Sequence, residues 1–177
     1  MLCPNCEAAL SDPSQDACPE CNLSLKRLDE VCGALPRSQG ALNDLQGVLT
    51  PRQKNRLRDY VAALGQEFLY CGFYLRFLSI PPSTPVKPYT WWMFNRLYAA
   101  PFSQGLLAYA FLVAIDAQRK RAVIMVSATA EKILSQEDLN FIIASGQHDL
   151  ENGQAHLGAR AILHTLRQKL VRVAKSR

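Results

Sequence analysis

Two C-P-x-C turns head the chain, Cys3-Pro4-Asn5-Cys6 and Cys18-Pro19-Glu20-Cys21, with eleven residues between them. Each turn bends the backbone so that its two sulfurs point the same way, and the intervening loop is long enough to bring the pairs together. A tetrahedral zinc ion needs such a donor set, so Cys3, Cys6, Cys18 and Cys21 are expected to ligate a structural Zn2+. Four thiolates fill every position around the metal, leave no water to activate, and make the site structural rather than catalytic. The unit spans about residues 1–25, too few to bury a core, so metal binding is expected to supply its folding energy. Glu7 and Asn22 follow the two pairs, where glycine often eases such a turn.

A disulfide framework is the competing use of these cysteines. A chain of 177 residues can bury a full core without such staples. Met1-Leu2 runs straight into Cys-Pro, with no apolar region of the secretory kind. Six cysteines without an export signal point to a reducing compartment, hence to metal ligation and a cytoplasmic location. Cys32 reads as a free thiol just past the ribbon, and Cys71, in an apolar run, as a small buried hydrophobe.

Apolar residues make up 49% and charged residues 20%, ordinary for a globular chain. The longest strongly apolar stretch, Gly105 to Ile115, has eleven residues. About twenty are needed to cross a bilayer, so no transmembrane segment is expected. The net charge is +5, and basic residues gather near the end at Arg160, Arg167, Lys169, Arg172, Lys175 and Arg177. They read as a solvated helix face, with nucleic-acid or anionic-surface binding as the alternative.

Lys26 to Gly47, carrying Gly33, Pro36, Ser38 and Gly40, reads as a linker with a short strand near its end. Thr50-Pro51-Arg52-Gln53 then opens a helix: Thr50 caps, Pro51 suits the first position and Gln53 completes a capping box. Leu57, Val61, Leu64 and Phe68 form its buried stripe. Leu69 to Ile80 reads as a strand, and Pro81 to Pro88 as a non-helical surface loop. Thr90 to Ala99 is predicted helical, with Trp91, Trp92, Phe94 and Tyr98 covering the sheet or offering a partner-binding patch. Leu106 to Ile115 and Arg121 to Ser127 form an antiparallel hairpin, its first strand central in the sheet. Ser135 to Asp138 caps a helix, and the last helix presents Ala159, Ile162, Leu163, Leu166, Leu170 and Val173 on one face. His148, His156 and His164 recur every eight residues, about 80° apart on a helix, and read as surface or capping groups rather than a shared site.

This order is an α/β layer arrangement. Four pieces read in sequence carry a resemblance. They are Leu49-Thr50-Pro51; Gly105-Leu106-Leu107 through Val113-Ala114-Ile115-Asp116; Ile133-Leu134-Ser135; and Leu150-Glu151-Asn152-Gly153 through Gly158-Ala159-Arg160-Ala161-Ile162. Over roughly residues 40–165 the chain resembles the TPM domain of bacterial envelope and thylakoid-lumen proteins. The resemblance implies a layered α-β-α domain with a small mixed sheet. It also implies the acid phosphatase activity and divalent-cation site of some members, built on acidic loop residues. Pro101-Phe102-Ser103-Gln104 and Ser127-Ala128-Thr129-Ala130-Glu131 replace the acidic and glycine-rich turns of that family. Only Glu131 stays as a cation ligand, with Asp116 and Asp138 nearby in sequence, a poor start for a hard ion.

The expected organisation is a zinc ribbon over 1–25, a linker over 26–47 and a TPM-like α/β domain over 48–177 with a basic C-terminal helix. The expected function is non-enzymatic: recognition or assembly with a protein partner, and no catalytic residues. A metal-dependent phosphatase-like hydrolase and a nucleic-acid-binding module are the alternatives.

Overall fold

The central strand decides the layering. Strand β3 (Tyr109–Asp116) is buried along almost its whole length. Its Phe111, Val113 and Ile115 enter one core, and Ala110, Leu112 and Ala114 enter another. A strand covered on both faces belongs in the middle of a sheet, as its apolar run predicts. The computed structural model describes residues 3–10, 16–35, 40–103 and 108–176, with backbone alone for 98–103. The expected strand residues Leu106 and Leu107, Gln104 of the turn before them and Arg177 lie outside that set, as does the side chain of Tyr98.

Strands β1 (Leu42–Asp44), β2 (Cys71–Phe77), β3 and β4 (Arg121–Val126) lie side by side in that order. The first three run parallel, and β4 returns antiparallel to β3 with Asp116 opposite Arg121. Among the described residues, five helices and this mixed sheet make an α/β fold. Helices α2 (Pro51–Glu67), α4 (Gln136–Glu151) and α5 (Ala155–Lys175) cover the face carrying Phe73, Leu75 and Phe77. Helices α1 (Leu25–Cys32) and α3 (Val86–Ser103) cover the opposite face. The connections β1-α2-β2 and β2-α3-β3 step the same way across the sheet but pass over opposite faces. One of the two must therefore be left-handed, against the strong preference for right-handed crossovers.

Local chemistry explains most boundaries. Thr50 accepts from the Gln53 amide at 3.3 Å while the Gln53 side chain accepts from the Thr50 amide at 2.8 Å, the predicted capping box. Ser135 and Asp138 repeat the device at the head of α4. In α5 the predicted apolar face is buried from Ala159 to Leu170, and Val173 packs at its edge.

Two stretches depart from expectation. Residues 26–47 read as a linker in sequence, yet they carry most of α1. Ser24 accepts from the Arg27 amide at 3.1 Å and caps the helix, and Leu28 is buried under α3. Leu25, Leu28 and Cys32 have helical spacing, but eight residues make a weak periodic signal and tertiary packing supplies the rest. The non-helical segment ends sooner than predicted, because α3 starts at Val86. Pro88 sits in its first turn, where a missing N–H removes no intrahelical bond. No described helix is long and apolar enough to cross a membrane.

Candidate metal centre and the groove beside it

The two C-P-x-C turns fold as copies of one motif. The Cys3 amide donates to the Ala8 carbonyl at 2.9 Å, and the Glu7 amide to the Cys3 carbonyl at 3.0 Å. In the second copy Cys18 donates to Leu23 at 2.9 Å and Asn22 to Cys18 at 2.8 Å. Glu7 and Asn22 hold φ of 61° and 56°, the left-handed region where glycine is the easy choice. Asparagine tolerates that region better than glutamate, so the first turn carries the greater strain.

The Sγ atoms of Cys3 and Cys21 lie 3.6 Å apart, as do those of Cys6 and Cys18, and all four fall within 4.8 Å of one another. A disulfide needs about 2.05 Å, and all four thiols are free. Four sulfurs about 2.3 Å from a tetrahedral ion sit about 3.8 Å from each other, so these residues fit a metal ion. The Asn5 amide points at the Cys3 sulfur at 3.5 Å, the orientation that steadies a thiolate. Cys21 is held down to about 6, first by its hydrogen bond with the Asn5 side chain. Cys6, despite the lowering effect of the Ala8 backbone, is pushed up to about 12 by desolvation and by the other three thiols.

This unit is tied to the main body. Asp29 of α1 accepts from the Trp92 indole at 2.8 Å and from two nitrogens of Arg96, both on α3. Arg96 first, then Trp92, holds its carboxyl below the usual range. Glu7 of the first turn pairs with Lys87 at 2.9 Å. Neither Asp29 nor Lys87 carries a motif, and only the fold shows their part in seating the cysteine unit.

The three carboxylates that sequence offers to a second cation are engaged separately. Asp116 is buried and accepts from Gln46 at 3.1 Å and from the Arg119 amide at 3.1 Å. Its second oxygen meets the Arg119 guanidinium at 3.3 Å. Arg119 in turn donates to the carbonyls of Pro81, Pro82 and Thr84, pinning the proline-rich loop. We expect Asp116→Asn to lower unfolding free energy by about 1 kcal/mol, the scale of one charged hydrogen bond weakened. Urea denaturation checks this, and faster proteolysis within 81–85 should accompany it. Asp138 caps α4 and pairs with Lys169, first of the causes that lower its pKa. Glu131 is exposed in the short 3-10 turn Ala130–Lys132.

The remaining sequence candidates fall into place one by one. Burial pushes the Cys71 thiol up to about 11, so it stays protonated and unreactive at neutral pH. Cys32 closes α1, its thiol raised by burial and by Asp29. Trp92 and Phe94 cover the sheet, while Trp91 is half-buried. His148 contacts Asn152, and His164 contacts Tyr60 and Gln168. On the basic last helix, Arg167 is neutralised by Glu67 and Lys169 by Asp138.

Beside the cysteine unit, β4 is the free edge of the sheet. The Ser127 amide donates to the Ala110 carbonyl at 3.0 Å. By alternation, the backbone groups of Ala122, Ile124 and Val126 face away from β3. Among the described residues nothing pairs with them. They line a groove of about 400 Å³ walled by Trp91 and Phe94 of α3 and by Leu139 and Ile143 of α4. Pro4 of the first cysteine turn and Lys87 stand at its mouth. The groove continues past Ala122 toward Arg119 and Arg121.

No family model matches this sequence, and no curated protein is similar to it. Its fold is similar to that of two domains solved by solution NMR. One is the N-terminal domain of the cg2496 protein from Corynebacterium glutamicum: TM-score 0.52, 11% identity, 75% of this chain and 81% of that one covered. The other is the N-terminal domain of a protein from P. gingivalis: TM-score 0.56, 14% identity, 71% of this chain and 81% of that one covered. At such identities the likeness shows a shared α/β architecture, with four adjacent cysteines at the head of this chain.

Proposed function

We propose that this chain is a non-enzymatic protein-recognition module of the TPM type, in which structural zinc bound by Cys3, Cys6, Cys18 and Cys21 braces a strand-docking groove. One observation carries the reading: the outward backbone edge of β4 lies unpaired between the walls of α3 and α4. Natural sheets usually blunt such an edge with lysine, proline or a bulge. Here the interior of the strand is Ala122-Val123-Ile124-Met125-Val126, with none of these. An extended segment of a partner would add a fifth strand and place alternate side chains against Trp91 and Ile143. Arg121, exposed and without a carboxylate partner among the described residues, favours a segment with an acidic residue at that end.

Zinc is the metal favoured by a four-thiolate set, and its role here is to hold Pro4 and Glu7 at the groove. The TPM reading draws support from the α/β likeness to the two N-terminal domains and from the four sequence pieces named above. Hydrolase chemistry is less well supported, because Asp116 and Asp138 are already committed to Arg119 and Lys169.

Selection of a random peptide library on the intact protein tests the proposal. Enriched peptides should alternate apolar residues with an acidic terminus and should slow amide exchange at Ala122, Ile124 and Val126. Ala122→Pro removes one outward N–H without touching the β3 ladder. It should abolish binding with little change in melting temperature. Failure to enrich any sequence, or unaltered binding by Ala122→Pro, would sink the reading. Phosphate release from a phosphoester panel that disappears with Glu131→Gln would replace it with the hydrolase.

A further inference from the structure

On the opposite side of the sheet from the cysteine unit, α2 and α5 lie against each other and run parallel. Tyr60 meets His164, and Glu67 meets Arg167 one or two turns further on. Toward the beginnings of both helices the surface opens into a cleft of about 850 Å³. Arg52, Arg56 and Tyr60 of α2, at i, i+4, i+8 spacing, line it together with His156 and Arg160 of α5, and Tyr60 reaches past the lining to His164, one turn beyond Arg160.

The cations of this cleft differ from their neighbours. Arg167 and Lys169 are matched by Glu67 and Asp138, and Arg58 donates to Asn55. Arg52, Arg56 and Arg160 have no ion pair or hydrogen bond to any described residue. Among the described residues Asp59 is the one carboxylate in the lining, and it bridges to none of them. Unpaired guanidinium groups held around one concavity repel each other, an arrangement that a bound anion relieves. The helix macrodipoles add to this, because both N-termini lie at the same end of the cleft. Leu57, Leu157 and the Tyr60 ring give the cleft an apolar side. That side suits the organic part of a ligand rather than a bare inorganic ion.

We infer that this cleft binds a small organic phosphate, its phosphoryl oxygens held by Arg52, Arg56 and Arg160 and its organic part laid against Tyr60 and Leu157. Guanidinium planes match phosphate oxygens two at a time, which distinguishes these arginines from point-charge lysines. The site is remote from the β4 groove and does not depend on it.

Phenyl phosphate and inorganic phosphate serve as probes, titrated into the zinc-loaded full chain and followed by amide chemical shifts and by melting temperature. We expect saturable shifts confined to the first turns of α2 and α5, with phenyl phosphate the tighter of the two. Loss of one charged hydrogen-bonding partner weakens binding about tenfold or more, so Arg56→Gln and Arg160→Gln should each do so. Both are exposed positions, and relief of mutual repulsion should leave the variants at least as heat-stable as the parent without ligand. Arg172→Gln, exposed on the same helix outside the cleft, should bind like the parent. Three results would each overturn the inference. They are no saturable shift at millimolar phenyl phosphate, an equal loss in Arg172→Gln, and preferential binding of a single-stranded RNA oligonucleotide with steep salt dependence.

Discussion

Cys18→Ser is expected to release the metal entirely and unfold everything before Leu25. Zinc content should fall from one equivalent to none, and protease should then cut within residues 3–24 of the otherwise folded chain. The effect is large because structural zinc in small cysteine units contributes on the order of 10–16 kcal/mol of apparent binding energy. The unit has almost nothing else: of its described residues, only Cys3, Pro4 and Cys18 are buried. The buried members of both cores begin at Leu28, with Leu23 and Leu25 packed only at the edge of one, so the cores should survive. The groove would lose Pro4 from its lining and Glu7 from Lys87, so peptide binding should weaken even though β4 is intact. Elemental analysis and limited proteolysis read the two parts separately. Retention of stoichiometric zinc by Cys18→Ser, or mass evidence for S–S bonds among the four thiols of the parent, would end the metal account.

Gly146→Ala should destabilise the α/β body by about 3 kcal/mol, toward the upper end of overpacking effects. Helices α4 and α5 meet at Gly146 and Gly158. A Cβ on Gly146 would press into the Gly158 carbonyl oxygen and lie 2.7 Å from Ile162 Cγ1. The first contact is with backbone and cannot be relieved by a rotamer change, so the helices must separate along their densest interface. Alanine's better helix propensity returns about 1 kcal/mol, which is why the net loss is not larger still. Gly65 provides the contrast. It lies within α2, and a methyl group there would find nothing within 4 Å, so Gly65→Ala should stabilise by up to about 1 kcal/mol. Equilibrium urea unfolding of the two alanine variants should move in opposite directions. A Gly146→Ala midpoint equal to the parent's would mean that the helices are not in such close contact.

Strong local chemistry is legible without the fold. The convergence of four sulfurs follows from two C-P-x-C turns and an adequate loop. The capping boxes at Thr50 and Ser135 follow from side chains bonding to amides three residues away. The central position of Tyr109–Asp116 follows from an apolar run too continuous for a half-wet strand. Helix α1 is illegible because eight residues cannot make a helix stable alone; Trp92 and Arg96, more than sixty residues away, hold it through Asp29. The true role of Asp116 is equally hidden. Its partner Gln46 lies seventy residues away, so a buried brace reads in sequence like an available ligand.

Sequence by itself determined the pieces whose energetics close within a few residues: the cysteine quartet, the helix caps, the apolar faces and the hairpin. Tertiary structure alone decided which face each crossover takes, and with it the one left-handed connection. It also decided that β4 ends the sheet between two helical walls, and that Arg52 and Arg56 stand opposite Arg160. The reason is physical: hydrogen bonds and hydrophobic periodicity act over one or two turns of chain. The placement of elements is set by summed burial across many distant contacts, to which no single stretch of residues commits in advance.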